Sequence, residues 1–260
     1  MTPPINPGQD IGPAAQSLLY TADVVPRDVP PLRDLVRFGV MADDQFARRY
    51  ADPADGLTRL LHLWEAGIVD RWWEPLEGAR IYSPTRLARL IAGVRNLRSR
   101  TTHLTHLAHD VAVVDLADYL VAENVSCRWF AEDEVRGYLD QIAPPPRRFG
   151  GDTRHRPDGL LVANDMRIAI ELEHSDKYDA RYARISAWFI RESRIDRVRW
   201  YVDNPRILQR LRAVNQRHGF DRDMRIELDE FPPTVRIRRR RGRFEPRPTP
   251  LLAPAPTRHA

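Results

Sequence analysis

Three acidic side chains interrupt an otherwise apolar stretch between residues 156 and 178. Asp158 stands just before one apolar segment, and Glu171 and Glu173 end the next, with an Asn-Asp pair between the two segments. This pattern predicts two strands joined by a two-residue hairpin loop. In that hairpin, residues whose numbers sum to 329 lie opposite each other. Asp158 is therefore expected to face Glu171 on one side of the sheet.

The alternation of side chains along a strand brings the third carboxylate to the same patch. The second strand divides into two sets, Ala169, Glu171 and Glu173 on one face and Ile168, Ile170 and Leu172 on the other. Three carboxylates this close would repel one another and raise each other's pKa values unless a cation lay among them. The sequence thus predicts a Mg²⁺ or Mn²⁺ site with oxygen ligands. The alternative is an edge hairpin whose acidic face is solvated.

The composition is that of a chain with a substantial core and no membrane segment. Its 260 residues allow one large domain or two small ones, and 42% are hydrophobic while 30% are charged. No apolar run reaches the roughly 18 residues of a membrane helix, and the N-terminus lacks a signal-peptide pattern. The single cysteine, Cys127, excludes an intramolecular disulfide and a Cys-rich zinc site. These features favour a cytoplasmic protein.

Positive charge is concentrated at the C-terminal end. Residues 236–260 contain eight Arg and one Glu, whereas the whole chain has a net charge of only +5. Such a tail predicts contacts with DNA phosphates. The predicted DNA-binding residues there are Arg236, Arg238, Arg239, Arg240, Arg241 and Arg243. Lys177, beside the acidic cluster, is the one Lys among 41 basic residues.

The N-terminal half predicts a leader followed by a small helical domain. Residues 1–28 are rich in Pro and small residues without periodicity, which is typical of a disordered segment. Residues 29–95 predict three short helices and then a hairpin, the plan of a winged helix-turn-helix. Its third helix would offer Thr58, Arg59 and His62 to DNA. A winged helix that binds proteins, or an unrelated helical cap, has the same pattern.

A long amphipathic helix is predicted from Thr102 to Glu123, with Thr101 or Thr102 as its cap. It carries His103, His106 and His109 at a spacing of three residues, which spreads them over about 120° of the helix. That spread is more typical of a solvated face than of a metal site. His109 or the neighbouring Asp110 could still line the acidic cluster.

Residues 101–232 predict the order helix, strand, hairpin, helix, strand, helix, and residues 233–260 form the basic tail. With Asp158 in a Pro-Asp pair, twelve intervening residues and then Glu171-x-Glu173, this part resembles the PD-(D/E)xK nucleases. The third position of that motif is usually a Lys. In this chain it is Glu173, and Lys177 follows four residues later. The fold class implied is α/β (α+β), a winged helix-turn-helix followed by a restriction-endonuclease-like mixed sheet.

The whole arrangement resembles the replication-relaxation family of mobile-element proteins, which includes MobC-like relaxases. Three stretches carry that resemblance: LWEAGIVDRWW…ARIYSPTRLARL, THLTHLAHDVAVVDLADYL and RPDG…IAIELEHSDKYDARYARI. The resemblance implies nicking of double-stranded DNA during replication or mobilisation of a plasmid or integrative element. It also implies other proteins of a transfer or replication complex as partners.

The expected enzyme is a metal-dependent DNA endonuclease. Asp158 and Glu171 would hold Mg²⁺, Glu173 would position the attacking water or a second ion, and Lys177 would stabilise charge on the scissile phosphate. Two other classes have the same sequence features. One is a non-catalytic DNA-binding accessory or regulatory protein that keeps the nuclease-like scaffold, and the other is a partner-binding module without DNA contact.

Overall fold

The computed structural model describes residues 24–94, 105–124, 126–143, 155–223, 225–235 and 237–238. The last residues of the predicted leader are ordered: Val24 is buried, and Pro26–Asp28 forms a 3-10 turn whose Asp28 is fully buried. The leader prediction was therefore wrong for residues 24–28. No helix in this described part of the chain is long and apolar enough to cross a membrane.

The N-terminal part consists of short helices around a three-stranded antiparallel sheet in the order β1-β3-β2. Its elements are α1 (Val29–Phe38), β1 (Met41–Ala42), α2 (Asp43–Ala47), α3 (Pro53–Glu65), β2 (Val69–Leu76), β3 (Ala79–Pro84) and α4 (Arg86–Ile91). Prolines in the first turn begin α1, and Gly39 in the left-handed region ends it at φ 77°. The Asp52 carboxylate caps α3 by accepting the backbone N–H of Ala54 at 3.0 Å.

The C-terminal part is a five-stranded mixed sheet with helices on both faces. Its elements are α5 (Leu107–Glu123), β4 (Arg128–Ala131), α6 (Glu132–Ile142), β5 (Gly159–Ala163), β6 (Met166–Glu173), α7 (Asp179–Arg191), β7 (Arg197–Val202), α8 (Pro205–Arg217) and β8 (Ile226–Glu230). The strand order is β4-β5-β6-β7-β8. The first two pairings are antiparallel, and the last two are parallel, with α7 and α8 as the crossovers that parallel strands require.

The predicted hairpin is confirmed in loop length, register and faces. Asn164 and Asp165 have φ angles of 49° and 62°, the left-handed pair that a two-residue turn between twisted strands requires. Gly159 pairs with Ile170, which is the predicted register. One face of β6 packs on α7 and α8, and the other packs on α5. Because the carboxylates alternate with the residues that face α5, they lie on the other side of the sheet.

The two parts share one apolar core. Leu32 and Phe46 of the N-terminal part belong to the same buried cluster as Ala117 of α5 and Ile170 of β6. Helix α5 begins at Leu107 rather than at Thr102, so His103 and the predicted Thr caps lie outside the described residues. The residues between the two predicted domains, 96–100, lie there too.

Gly159 provides a test of how tightly the sheet is packed beside the acidic patch. A Cβ at this position would overlap the indole ring of Trp129 on β4, whereas a Cβ at Gly137 of α6 would meet open space. We expect Gly159→Ala to lower the free energy of unfolding by about 1–3 kcal/mol, the usual cost of overpacking. Gly137→Ala should raise it by up to about 1 kcal/mol, because Gly is a poor helix former.

Urea denaturation of both variants measures these changes. Equal stability of the two Ala variants would contradict the packing of Trp129 over Gly159.

Candidate active site

Asp158 is held in place by two hydrogen bonds. It lies immediately before β5, where its Oδ2 accepts the backbone N–H of Leu172 on β6 at 2.8 Å. Its Oδ1 lies 2.9 Å from Nε2 of His109, which is on the first turn of α5. The prediction that His109 lines the acidic cluster is thereby confirmed, and the carboxylate is tied both to the neighbouring strand and to the helix behind the sheet.

Glu171 is bound by a second imidazole. Its Oε1 lies 2.8 Å from Nε2 of His155, and the Glu171 residue is only 5% exposed. The His155 ring packs edge-on against Trp188 and Phe189 of α7, with ring centroids 5.6 and 5.3 Å away. His155 was not predicted, because a His three residues before Asp158 in an Arg-rich segment has no periodic or spacing signal.

Glu173 is the most buried of the three carboxylates, at 1% exposed. Its Oε1 accepts the backbone N–H and the hydroxyl of Ser175 at 3.1 and 3.0 Å, and its Oε2 forms an ion pair with the ammonium of Lys177. The hydroxyl of Tyr182 accepts the backbone N–H of Lys177 at 3.1 Å, which fixes the turn that carries this Lys. Lys177 therefore lies within the site, as predicted.

The electrostatics of the first pair favour a charged Asp158. Burial alone would raise the pKa of Asp158, but the charge of His109 and the hydrogen bonds from His109 and Leu172 outweigh it and hold this pKa below its usual range. Burial opposes the charge of His109 as well, yet Asp158 raises the pKa of His109 to about 9. At neutral pH the two residues therefore form a carboxylate–imidazolium pair.

Glu171 behaves differently. Burial, reinforced by the nearby Asp158, raises the pKa of Glu171 to about 7 although His155 opposes the shift. The pKa of His155 is also raised, because the charge and hydrogen bond of Glu171 outweigh the effect of burial. A third imidazole, His174, lies with its ring centroid 5.6 Å from that of His109 and tilted against it, and its pKa is lowered by burial and by the charge of His109. The pKa of Glu171 is thus raised into the neutral range.

Basic side chains of the protein contact all three carboxylates. The prediction supposed an ion among the carboxylates, whereas His109, His155 and Lys177 each contact one of them. No group of three or more His, Cys, Asp or Glu side chains in the described residues is arranged to hold a metal ion.

The donor chemistry still fits a hard cation. Mg²⁺ commonly uses one or two carboxylates and fills its other positions with water and substrate phosphate. Ligating carboxylates are themselves usually oriented by hydrogen-bond donors, which is how His109, Leu172 and His155 contact Asp158 and Glu171.

The predicted DNA-binding residues of α3 differ in placement. Thr58 and His62 are exposed, and the Thr58 hydroxyl donates to the carbonyl of Ala54 at 3.1 Å. Arg59 instead turns inward, where its Nη2 lies 2.6 Å from Oδ2 of the buried Asp28. Arg59 thus neutralises Asp28 instead of facing outward towards DNA as predicted. Removing it would leave a buried carboxylate without its ion-pair partner, which would destabilise the fold.

The basic tail is described only at its beginning. Arg238 is 11% exposed, and its Nη2 donates to Oδ2 of Asp44 on α2 at 2.6 Å, so this residue fastens the tail to the N-terminal part. The other predicted tail contacts lie outside the described residues: Arg236, Arg239, Arg240, Arg241 and Arg243.

The raised pKa of His109 makes a pH-dependent prediction. A pKa of about 9 in the fold, against 6.5 for an ordinary His, means that the stabilisation is complete below about pH 6.5 and is lost as the pH rises through 9. We expect His109→Gln to cost up to about 3 kcal/mol at pH 6 and little above pH 9.5.

Urea denaturation across this range measures the difference, with the exposed His62→Gln as the control. A cost for His109→Gln that stays constant from pH 6 to 9.5 would contradict the ion pair with Asp158.

Comparisons with known proteins add no relative: no family model, curated protein or solved structure matches this chain at a significant level.

Proposed function

We propose that the protein is a metal-dependent DNA endonuclease that nicks its substrate. One observation carries the proposal: Asp158 and Glu171 lie opposite each other on the central hairpin of a mixed sheet, with Glu173 and Lys177 beside them. This arrangement puts three carboxylates and one ammonium in a single patch. Carboxylates serve a divalent cation, and an ammonium neutralises charge on a phosphate.

The order and direction of the elements support a PD-(D/E)xK-like core. Helix α5 is followed by β4, by the antiparallel hairpin of β5 and β6, and then by α7 and the parallel strand β7. Helix α6 is inserted between β4 and β5. In the N-terminal part, the sequence helix, strand, two helices and hairpin supports a winged helix. We infer that this part helps to select the DNA site, with Thr58 and His62 at its exposed surface.

Lys177 can replace the Lys that the family pattern usually has at the position of Glu173. The PD-(D/E)xK pattern usually has a Lys there, whereas this chain has a buried Glu173 whose carboxylate contacts the Lys177 ammonium. The ammonium thus reaches the same place from four residues later in the chain. We infer that Lys177 supplies the positive charge that the usual Lys supplies in the family pattern.

The residues of the site divide the work of hydrolysis. Asp158 and Glu171 would hold Mg²⁺ or Mn²⁺, which when bound neutralises the scissile phosphate and lowers the pKa of a coordinated water. His109 and the N–H of Leu172 keep Asp158 ionised and oriented, and His155 orients Glu171. Glu173 would accept a hydrogen bond from the attacking water while Lys177 faces the phosphate.

The wider role follows from the resemblance to the relaxase-like family. We propose that the protein acts on double-stranded DNA in the cytoplasm during replication or mobilisation of a plasmid or integrative element, together with other proteins of that process. A second candidate is a non-catalytic DNA-binding accessory protein. It is favoured by the pairing of each carboxylate with a protein base, since those bases must share the carboxylates with any ion.

Loss of the carboxylates separates the two candidates. We expect Asp158→Asn or Glu171→Gln to lower Mg²⁺-dependent nicking of supercoiled plasmid at least about hundredfold, because each removes a ligand charge. DNA affinity should stay within a few-fold. Asp165→Asn is the matched control, because Asp165 is an exposed carboxylate in the same hairpin whose left-handed φ suits Asn.

Isothermal titration with Mn²⁺ measures ion binding independently of nicking. Wild-type protein that binds neither Mn²⁺ nor Mg²⁺ and does not nick DNA would favour the accessory role.

Lys177→Arg tests the ammonium itself. An ammonium is a compact charge, whereas a guanidinium is a wide planar fork that cannot occupy the same position against Glu173. We expect this variant to fold and bind DNA normally but to nick at least about tenfold more slowly, or about 1.4 kcal/mol of barrier. Single-turnover nicking at saturating Mg²⁺ measures the rate. A rate within two-fold of wild type would make Lys177 a bystander.

A further inference from the structure

Helix α7 carries a basic and aromatic stripe on its exposed side. We call it the α7 stripe, and it consists of Arg181, Arg184, Trp188 and Arg191. The spacing of three, four and three residues puts all four within about 80° of the helix circumference. The three Arg side chains are exposed and Trp188 is partly exposed, whereas Tyr182, Ile185 and Phe189 form the buried side.

The first two Arg residues of the stripe lack the partners that other Arg residues of this chain have. Arg181 and Arg184 form no ion pair with any other described residue. The one acidic residue of α7, Asp179, is occupied by Arg210 and Arg217 of α8 at 3.0 and 2.9 Å. Arg181 and Arg184 therefore carry a positive charge that the one acidic residue of α7 does not balance.

The α7 stripe lies beside the acidic cluster. The Trp188 ring is 5.6 Å from the ring of His155, whose Nε2 lies 2.8 Å from Oε1 of Glu171. At the other end, Lys177 is two residues before the first residue of α7 and contacts Glu173. One end of the stripe and the turn before α7 therefore lie next to residues that contact two carboxylates of the site.

We propose that the α7 stripe binds the sugar–phosphate backbone of a DNA strand and leads it to the acidic cluster. This inference rests on the proposed function for its choice of DNA as the ligand. Guanidinium groups bind phosphate oxygens through paired N–H donors, and an aromatic ring among them gives a base a surface to stack on. An acidic peptide could pair with Arg181 and Arg184, but its carboxylates would make no stacking contact with the Trp188 ring.

The test is DNA binding in the absence of cleavage. Wild-type protein, Arg181→Ala/Arg184→Ala and Arg184→Ala are titrated in EDTA against a fluorescein-labelled 20-nucleotide single strand and its duplex, over a range of salt concentrations. Arg212→Ala is the control, since Arg212 is an exposed residue of α8 that forms no ion pair with the residues that the structure describes. It lies about 150° around that helix from the side of Arg210 and Arg217 that contacts α7.

The double variant should bind about tenfold more weakly, equivalent to about 1.4 kcal/mol. Loss of two phosphate contacts should also reduce the slope of log K against log salt by about 1.4 for the single strand, or about 1.8 for the duplex. The single variant should lose about half as much, and Arg212→Ala should match wild type. A double variant with wild-type affinity and slope, or a wild-type protein without salt-dependent binding, overturns the proposal.

Nicking assays distinguish failure of the α7 stripe proposal from failure of the endonuclease proposal. If wild type nicks plasmid and the double variant binds and nicks like it, the endonuclease stands and the α7 stripe fails. If wild type does not nick but the double variant loses affinity and salt slope, the α7 stripe binds DNA and the endonuclease fails.

Discussion

The clustering of two buried carboxylates, Glu171 and Glu173, with the partly buried Asp158 is the constraint on which the rest of this structure depends. Unpaired negative charges at such depth are costly, so each must be stabilised by a positive or hydrogen-bonding group. Asp158 uses His109 and a backbone N–H, Glu171 uses His155, and Glu173 uses Lys177. The bases come from the helix behind the sheet, the segment before β5 and the turn after β6, so three separate elements must converge on one hairpin.

Helix α5 couples that site to the N-terminal part of the chain. Its first turn carries His109, and less than two turns later Asp115 accepts hydrogen bonds from Gln45 at 2.8 Å and from Arg48 at 2.7 Å. The amide of Gln45 also donates to the carbonyl of Val111 at 2.8 Å. Any shift of the N-terminal part against the sheet would therefore pull on the helix that positions Asp158. The N-terminal part is thus mechanically coupled to the carboxylate that α5 positions.

The Arg residues of this chain divide into those that hold the fold together and those that face outward. Arg59 neutralises the buried Asp28, Arg49 pairs with Asp118 of α5, and Arg238 fastens the tail to α2. Because these Arg residues are paired with carboxylates of the chain, the number of basic residues overstates the positive charge that is free at the surface. Arg181 and Arg184 are outward-facing exceptions next to the acidic cluster, which is why their position is more informative than their number.

The local part of the site could be predicted from the sequence alone. A two-residue Asn-Asp loop and strict alternation determine the hairpin register, the faces of β6 and the meeting of Asp158 with Glu171, because these depend on neighbours in the chain. The partner of Glu171 and the inward or outward direction of the Arg side chains were decided by the tertiary structure. His155, the inward turn of Arg59 and the anchoring of Arg238 result from contacts between positions far apart in the chain or without periodicity, and neither spacing nor composition encodes such contacts.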